Sequence, residues 1–153
     1  MVRCTFLELY NEEIRDLLSK NVEKKLEIRE NKESGVFVKD LTPFMINNMQ
    51  ELVKKLTIGS QNRITGQTDM NRHSSRSHSI FTVIIEMCEN IGGQNKIRVG
   101  KLNLVDLAGS ERQSKTHAVG ERFIEAVNIN QSLSTLGINL KNIKSRFNNI
   151  VFR

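Results

Sequence analysis

Apolar residues in the first quarter of the chain recur in short runs that predict strands. The run Val2–Tyr10 is apolar on both faces, which is typical of a central strand covered on both sides. In the stretch 11–18, Asn11, two acidic residues directly after it and three apolar residues predict a short capped helix. Apolar residues in the stretches 25–29 and 35–38 then predict two short strands joined by a charged loop.

The middle of the chain predicts a helix, a loop and a strand hairpin. Asn48 suits the N-cap of a helix that begins at Met49, with an apolar face along its first turns. Residues 59–79 are mostly polar and predict a long functional loop. A dense apolar strand over 80–88, a Gly-Gly turn and a second strand over 96–107 follow.

The second strand of that hairpin ends near Asp106, and α/β proteins place their ligands at such carboxyl ends of strands. Apolar residues spaced by three and four then predict one amphipathic helix over 121–145, packed on a sheet rather than in a coiled coil. Because helices and strands are interleaved along the chain, the predicted fold class is α/β.

Composition and charge narrow the possible partners. The 153 residues suit a single domain, and a net charge of +6 with a pI near 9.5 predicts attraction to nucleic acid, an anionic membrane or an acidic filament. Seven phenylalanines and one tyrosine form no aromatic-basic ladder, which disfavours nucleic acid. No apolar run approaches the ~20 residues that span a bilayer. Cys4 and Cys88 lie in apolar runs and are predicted to be buried thiols, as in intracellular proteins.

Two polar segments, 71–78 and 105–111, carry the candidate chemistry. An enzyme that cleaves a nucleoside triphosphate senses its third phosphate with hydroxyls and backbone N–H groups that close on the phosphate and its Mg²⁺. Asp106, at the end of an apolar strand, suits the Mg²⁺ hydration shell. Gly109 has no Cβ, so its N–H can approach a phosphate oxygen closely.

The first segment supplies the complementary hydroxyls. Of Ser74 and Ser75, one could bind Mg²⁺ and the other could orient the attacking water. Arg76 and Glu111 are a candidate ion pair between the two segments, which would couple both to one phosphate-dependent state.

Each segment by itself has a simpler interpretation. A D-x-x-G sequence at the end of a strand is often only a turn, and a Ser-Ser-Arg-Ser stretch is often a solvated loop or a phosphorylation site. His73 and His78 are spaced poorly for zinc, with no cysteine or carboxylate cluster beside them. The two segments in this order favour a nucleotide sensor.

The two segments resemble switch I and switch II of the kinesin motor domain, through Asn-x-x-Ser-Ser-Arg-Ser-His and Asp-Leu-Ala-Gly-Ser-Glu. The stretches 6–18 and 128–137 also resemble that family, so the similarity covers essentially the whole chain. The chain is most similar to motors of the heterotrimeric, cilia-associated type. Myosin shares the Ser-Ser-Arg pattern, but its switch II differs.

The resemblance implies a partial kinesin-type motor fold, a central mixed sheet flanked by helices. Asn71 and residues 74–78 would form switch I, and residues 106–111 switch II. ATP would be bound through Asn71, Ser74, Ser75, Asp106 and Gly109, with Mg²⁺ held by Ser75 and Asp106, partly through water. Ser74, Ser75, Arg76 and Glu111 would serve the catalytic step.

The resemblance also implies microtubules as the partner, through the relay helix that begins at Glu121. The basic residues expected to face tubulin are Lys115, Arg122, Lys141, Lys144, Arg146 and Arg153. A solvated helix end with favourable dipole charges is the alternative interpretation of this cluster. The expected location is the cytoplasm and its microtubules, or a cilium.

The chain departs from the family in one major respect: it contains no G-x-x-x-x-G-K-[S/T] phosphate-binding loop. Gly66-Gln67-Thr68 begins like the family's loop but lacks the Gly-Lys that should follow. His117 stands where a glycine is usual, and Ile138 where an asparagine is usual. Residues 1–153 therefore correspond to roughly the middle half of a motor domain.

Two functions remain open after this departure. The first is part of a microtubule motor ATPase that is inactive as this chain alone and binds no ATP or Mg²⁺ without the rest of the motor. The second is a non-catalytic microtubule-binding module or inhibitor derived from a motor. Neither predicts nucleic acid or a membrane as a partner, and sheet edges left open would favour self-association.

Overall fold

The computed structural model describes residues 1–32, 35–65, 76–109 and 121–146, without the side chains of residues 64–65, 121–126 and 140–146. The chain divides into two compact units, residues 1–107 and residues 108–153. The first unit contains the strands and one helix, and the second contains the long helix.

The first unit is built on an antiparallel sheet in the order β3-β2-β1-β7-β8, and β6 pairs with the start of β1. A separate hairpin is formed by β4 and β5. The strands are β1 Val2–Tyr10, β2 Glu13–Asp16, β3 Lys25–Leu26, β4 Ile28–Asn31, β5 Gly35–Val38, β6 Phe44–Met45, β7 His78–Ile91 and β8 Gln94–Asp106. Every pairing among the described strands is antiparallel. The central sheet with helices confirms the α/β class.

The predicted helix over 11–18 is wrong, because these residues form a tight turn and a strand. Asn11 and Glu12 both have positive φ, at 47° and 63°, and Tyr10 pairs with Glu13 across them. Two consecutive left-handed residues make the two-residue turn whose twist suits a β-hairpin. In β2 the buried positions alternate, which is the period of a strand.

The core of the first unit lies between β1, β7 and the segment after β2. Its buried apolar residues are Cys4, Phe6, Leu17, Leu18, Ile46, Phe81 and Val83. The rings of Phe6 and Phe81 meet edge to face, with centroids 5.3 Å apart. The buried Asp16 carboxylate accepts the N–H groups of Leu18 at 2.9 Å and Thr42 at 3.0 Å, which holds the chain around this core.

Helix α1 spans Met49–Thr65 and begins at the predicted cap. The Asn48 side-chain oxygen accepts the N–H of Glu51 at 2.9 Å, and the Glu51 carboxylate accepts the N–H of Asn47. The helix continues past Gly59 and β7 begins at His78, so the prediction of a loop over 59–79 is wrong for residues 59–65 and 78–79. The predicted apolar face is also only partly buried, since Leu52 packs on the core but Met49 and Val53 are exposed.

Strands β7 and β8 form the predicted hairpin, but it is longer than the sequence suggested. Its turn contains Gly92 and Gly93, both at positive φ. β1 pairs with β7 only as far as Ile85, so the far end of the hairpin extends beyond the rest of this sheet. Every residue of β8 is exposed. Cys4 is buried as predicted, whereas Cys88, near the far end of the hairpin, is exposed and that prediction is wrong.

Helix α2 of the second unit spans Glu121–Arg146, which confirms the predicted long helix. Ile129 and Leu133, from its predicted apolar stripe, are half-buried, and Leu136 is exposed. None of the helices in the described parts of the chain has the length and apolar character needed to cross a membrane.

Candidate functional site

Three polar residues form one row across the sheet, at the end where Asp106 closes β8. Glu8 of β1 pairs with Ser79 of β7, and Ser79 pairs with Asp106 of β8. Residues paired directly across neighbouring antiparallel strands project on the same face of the sheet. One sheet face therefore carries a carboxylate, a hydroxyl and a second carboxylate in sequence.

The guanidinium of Arg63, from the last turn of α1, lies over this row. Its Nη1 donates to Asp106 Oδ2 at 2.6 Å and to Ser79 Oγ at 3.0 Å. Its Nη2 donates to the carbonyl oxygen of Ser77 at 3.1 Å, and its Nε lies 3.6 Å from Glu8 Oε1. We call Arg63, Glu8, Ser77, Ser79 and Asp106 the Arg63 cluster.

The packing of α1 on β1 places Arg63 over Glu8. Gly59 lies against the Phe6 ring so closely that a Cβ built on it would be 2.1 Å from Phe6 Cδ1. One helical turn of four residues advances about 6 Å, and two strand residues advance about 6.6 Å. Four residues after Gly59 in α1 and two residues after Phe6 in β1, Arg63 therefore meets Glu8.

A second contact anchors the same turn of α1. The Asn62 side-chain amide donates to the backbone carbonyl of Leu17 at 2.8 Å. Leu17 is fully buried in the core, so this hydrogen bond ties the polar end of the helix to a fixed part of the fold. The two contacts explain why a polar stretch, expected to be a loop, is helical.

Exposure changes steeply along the row. The Glu8 side chain is 4% exposed and that of Arg63 12%, whereas that of Asp106 is 70% exposed. Ser79, between the two carboxylates in the row, is buried, and so is Ser77. A ligand approaching from solvent therefore meets Asp106 and not Glu8.

His78 lies beside this cluster at the start of β7. Burial lowers the pKa of His78 below its ordinary value of 6.5, and the positive charge of Arg63 lowers it further, while Asp106 opposes the shift. The imidazole therefore favours its neutral form, which limits the positive charge near the guanidinium.

The Asp106 carboxylate fits the role expected of it toward Mg²⁺. It is largely exposed and lies at the end of β8, and a carboxylate is the oxygen ligand that Mg²⁺ prefers, directly or through water. Among the described residues no group of three or more histidines, cysteines or carboxylates could hold a metal. A single carboxylate suits an ion that keeps most of its waters and is also held by phosphate oxygens.

The structure describes three of the predicted nucleotide-site residues. Asp106 ends β8, Gly109 follows three residues later, and Arg76 lies just before β7, half-buried. Asn71, Ser74, Ser75, Glu111, Lys115 and Arg153 lie outside the described residues. The ion pair between Arg76 and Glu111 therefore stays a prediction.

The other predicted filament-facing residues lie on α2, namely Arg122, Lys141, Lys144 and Arg146. The structure describes their backbone and not their side chains. Their contacts with tubulin stay a prediction.

Sequence reasoning missed Arg63 and Glu8. Arg63 fell inside the predicted polar loop, and Glu8 inside an apolar run. The signal for Glu8 was present, because a carboxylate in a strand covered on both faces requires a charged or hydrogen-bonding partner. The identity of that partner, 55 residues later in the chain, was not readable from spacing.

Comparison with known proteins places these features in context. The protein-family model described as the kinesin motor domain matches residues 1–153 of this chain. The kinesin-like protein klp-20 of Caenorhabditis elegans is 54% identical over 137 residues, which are 90% of this chain and 21% of that protein. The kinesin-like protein KIN-12G of Oryza sativa subsp. japonica is 51% identical over 141 residues, 92% of this chain and 11% of that protein.

Solved structures show the same fold. A KIF14 dimer in its two-heads-bound state, with AMP-PNP and a microtubule, matches with a TM-score of 0.78 and 35% identity, over 99% of this chain and 44% of that chain. A structure of a fast kinesin matches with a TM-score of 0.76 and 42% identity, over 89% of this chain and 38% of that chain. The present chain thus spans less than half of each structure and about a fifth or less of each curated relative.

Proposed function

The chain belongs to the kinesin motor domain family, and from that membership we propose that residues 1–153 serve as the nucleotide-sensing, filament-facing part of a microtubule motor ATPase. In this proposal the chain corresponds to the central part of a motor domain. The complete motor couples ATP binding and hydrolysis to movement along microtubules.

The observation that carries this proposal is that the Arg63 guanidinium donates hydrogen bonds to both predicted segments. It binds Ser77, which lies near the end of the predicted switch I segment, and Asp106, which opens the predicted switch II segment. A displacement of either segment changes hydrogen bonds that the other also uses. This linkage is what a sensor needs if both segments are to report the same phosphate.

Each predicted residue then has a role in the complete motor. Bound Mg²⁺ would neutralise charge on the phosphates of ATP, and Ser75 and Asp106 are the residues that would hold it. Gly109 would offer its N–H to a phosphate oxygen, and Ser74 would orient the attacking water. Together with Asn71, these groups bind and orient the nucleotide.

The two segments are also linked by a second, outer ion pair in this proposal. Arg76 would pair with Glu111 when a third phosphate is bound and separate after its loss. The Arg63 cluster contains Ser77 of the first segment and Asp106 of the second, so it would hold these two residues in register while the pair of Arg76 and Glu111 opens and closes.

The filament-facing side is proposed to be α2 and the residues that flank it. The basic residues Lys115, Arg122, Lys141, Lys144, Arg146 and Arg153 suit the acidic surface of tubulin. A microtubule is present in the solved KIF14 complex, which is similar to this chain. The protein is thus proposed to act on microtubules in the cytoplasm or in a cilium.

The 153-residue chain alone is expected to hydrolyse no ATP. Because the phosphate-binding loop and its lysine are not in this sequence, most contacts to the phosphates would be missing. The test is ATP turnover by the purified chain, with and without microtubules. Turnover that disappears with Asp106→Ala would contradict the expectation.

The proposal is tested on the native product in its own cells. An antibody against residues 20–32 reports the mass of the protein that carries this segment. A mass far above 17.5 kDa supports the hypothesis that residues 1–153 are part of a longer motor. A mass of 17.5 kDa supports the hypothesis that the short chain itself is the functional protein. The same antibody purifies the product for binding assays.

A second candidate function is a non-catalytic microtubule-binding module or inhibitor. The net charge of +6 and the missing phosphate-binding loop favour it for a short product. Co-sedimentation with microtubules separates the two functions. Release by ATP supports the motor, whereas binding that ignores ATP supports the module.

A further inference from the structure

The two carboxylates of the Arg63 cluster differ in how they can behave. Glu8 lies on the central strand β1, buried under α1, and its contact with Arg63 is to Nε. Asp106 is the last residue of β8, is largely exposed, and contacts Nη1. The carboxylates therefore approach different nitrogens, and one can leave without displacing the other.

The guanidinium keeps most of its described contacts when Asp106 is removed. Nη1 still donates to Ser79 Oγ, Nη2 still donates to the Ser77 carbonyl, and Nε remains 3.6 Å from Glu8. Since Arg63 is itself largely buried, its positive charge requires a carboxylate nearby. Glu8 supplies that charge from a position that solvent and ligands do not reach.

We propose that Glu8 is a positioning residue that holds Arg63 in place, so that Asp106 can exchange between the guanidinium and the hydration shell of Mg²⁺. The role toward Mg²⁺ rests on the function proposed above. The anchoring of Arg63 by Glu8 does not, because it depends only on the geometry of the first unit.

The proposal has a direct consequence for metal affinity in the complete motor. If Glu8 is replaced by neutral glutamine, Asp106 becomes the main carboxylate that compensates the charge of Arg63. Asp106 then separates from the guanidinium less readily and is less available to Mg²⁺. The Mg²⁺ concentration for half-maximal ATP turnover is expected to rise several-fold, with turnover at saturating Mg²⁺ changed less.

The anchoring is tested without nucleotide, by the rate at which phenylglyoxal modifies each arginine of the 153-residue chain. Peptide mass spectrometry reports Arg63, Arg3 and Arg15 in one digest, so the other two are internal references. The variants are Glu8→Gln, Asp106→Asn and the matched control Glu86→Gln. Glu86 pairs with Arg3 at 2.6 Å on the same sheet, near the opposite end of β1.

The expected result is selective. Glu8→Gln speeds modification of Arg63 about tenfold or more, because a buried charge loses its counter-charge, and Asp106→Asn speeds it less than about threefold. Glu86→Gln speeds modification of Arg3 and leaves Arg63 unchanged. Protection of Arg63 that persists in Glu8→Gln, or is lost equally in Asp106→Asn, overturns the proposal.

A fold that fails in Glu8→Gln would raise the reactivity of all three arginines together. The decision then rests on Asp106→Asn, whose side chain is exposed and leaves the core intact. Arg63 must stay protected in that variant, and loss of its protection overturns the proposal. If Arg63 behaves as expected in this test while the complete motor shows no ATPase activity, the anchor stands and the motor function is refuted instead.

Discussion

The close approach of Gly59 to Phe6 predicts opposite outcomes for the same substitution in two helices. A Cβ at Gly59 would lie 2.1 Å from Phe6 Cδ1 and 2.7 Å from Cε1, far inside ordinary contact. The Phe6 ring is buried and packs edge to face on Phe81, so it has little room to move. At Gly137, in α2, a Cβ would meet nothing within 4 Å.

The expected magnitudes follow from two opposing terms. Replacing glycine by alanine in a helix stabilises by about 1 kcal/mol, through lower backbone entropy in the unfolded chain. Overpacking a rigid core costs about 1–3 kcal/mol, and a 2.1 Å approach belongs at the upper end. Gly59→Ala should therefore destabilise by about 2 kcal/mol, whereas Gly137→Ala should stabilise its own unit by about 1 kcal/mol.

Pulse proteolysis across a urea series measures both effects at low protein concentration, where association is limited. A further variant, Phe6→Leu, replaces the ring by a smaller side chain. It should cost less in the Gly59→Ala background than alone, with a coupling of about 1 kcal/mol. If Gly59→Ala stabilises as much as Gly137→Ala, α1 does not pack on β1 as described. The position of Arg63 over Glu8 would then also be wrong.

Three further predictions test other parts of the account. Asp16→Asn should lower the free energy of unfolding by about 1–3 kcal/mol, because one of the two N–H groups that the carboxylate accepts would then face an NH₂ group. The control Asp40→Asn, at an exposed side chain, should change the free energy of unfolding by less than about 0.5 kcal/mol. Because the pKa of His78 is lowered in the fold, the unfolded chain binds more protons than the folded chain as pH falls through about 6.5. Stability should therefore fall with pH in this range, and the fall should be smaller in His78→Gln. Iodoacetamide should modify the exposed Cys88 at least about tenfold faster than Cys4, since burial excludes the reagent and raises the pKa of the Cys4 thiol; equal rates would contradict the core.

The strands were predictable where local pattern and tertiary structure agree. β1, β7 and β8 contain long apolar runs, and the described turn between β7 and β8 contains the Gly-Gly pair that such hairpins favour. The turn at Asn11 and Glu12 was not predicted, because an asparagine before acidic residues also satisfies a helix cap. The hairpin that this turn closes forms on β1, and β1 is held in the sheet by β7, whose residues lie more than 60 positions later and outside any short window of sequence.

The candidate site was predictable in its motifs but not in its support. Asp106 was identified from its strand and from the glycine that follows it. Arg63 was placed in a loop, because its polar neighbours carry no helical pattern of their own. The contacts of Gly59 with Phe6 and of Asn62 with Leu17 hold that turn as a helix, and both join residues more than 40 positions apart.

The measurement that tests the central claim most directly is ATP turnover by the native product, captured with the antibody against residues 20–32. If the chain works within a motor, turnover rises when microtubules are added and is lost when Asp106 is replaced by alanine in the expressed gene. A native product that binds microtubules and shows no turnover, with or without them, would contradict a motor function and leave the non-catalytic filament-binding module as the function of this chain.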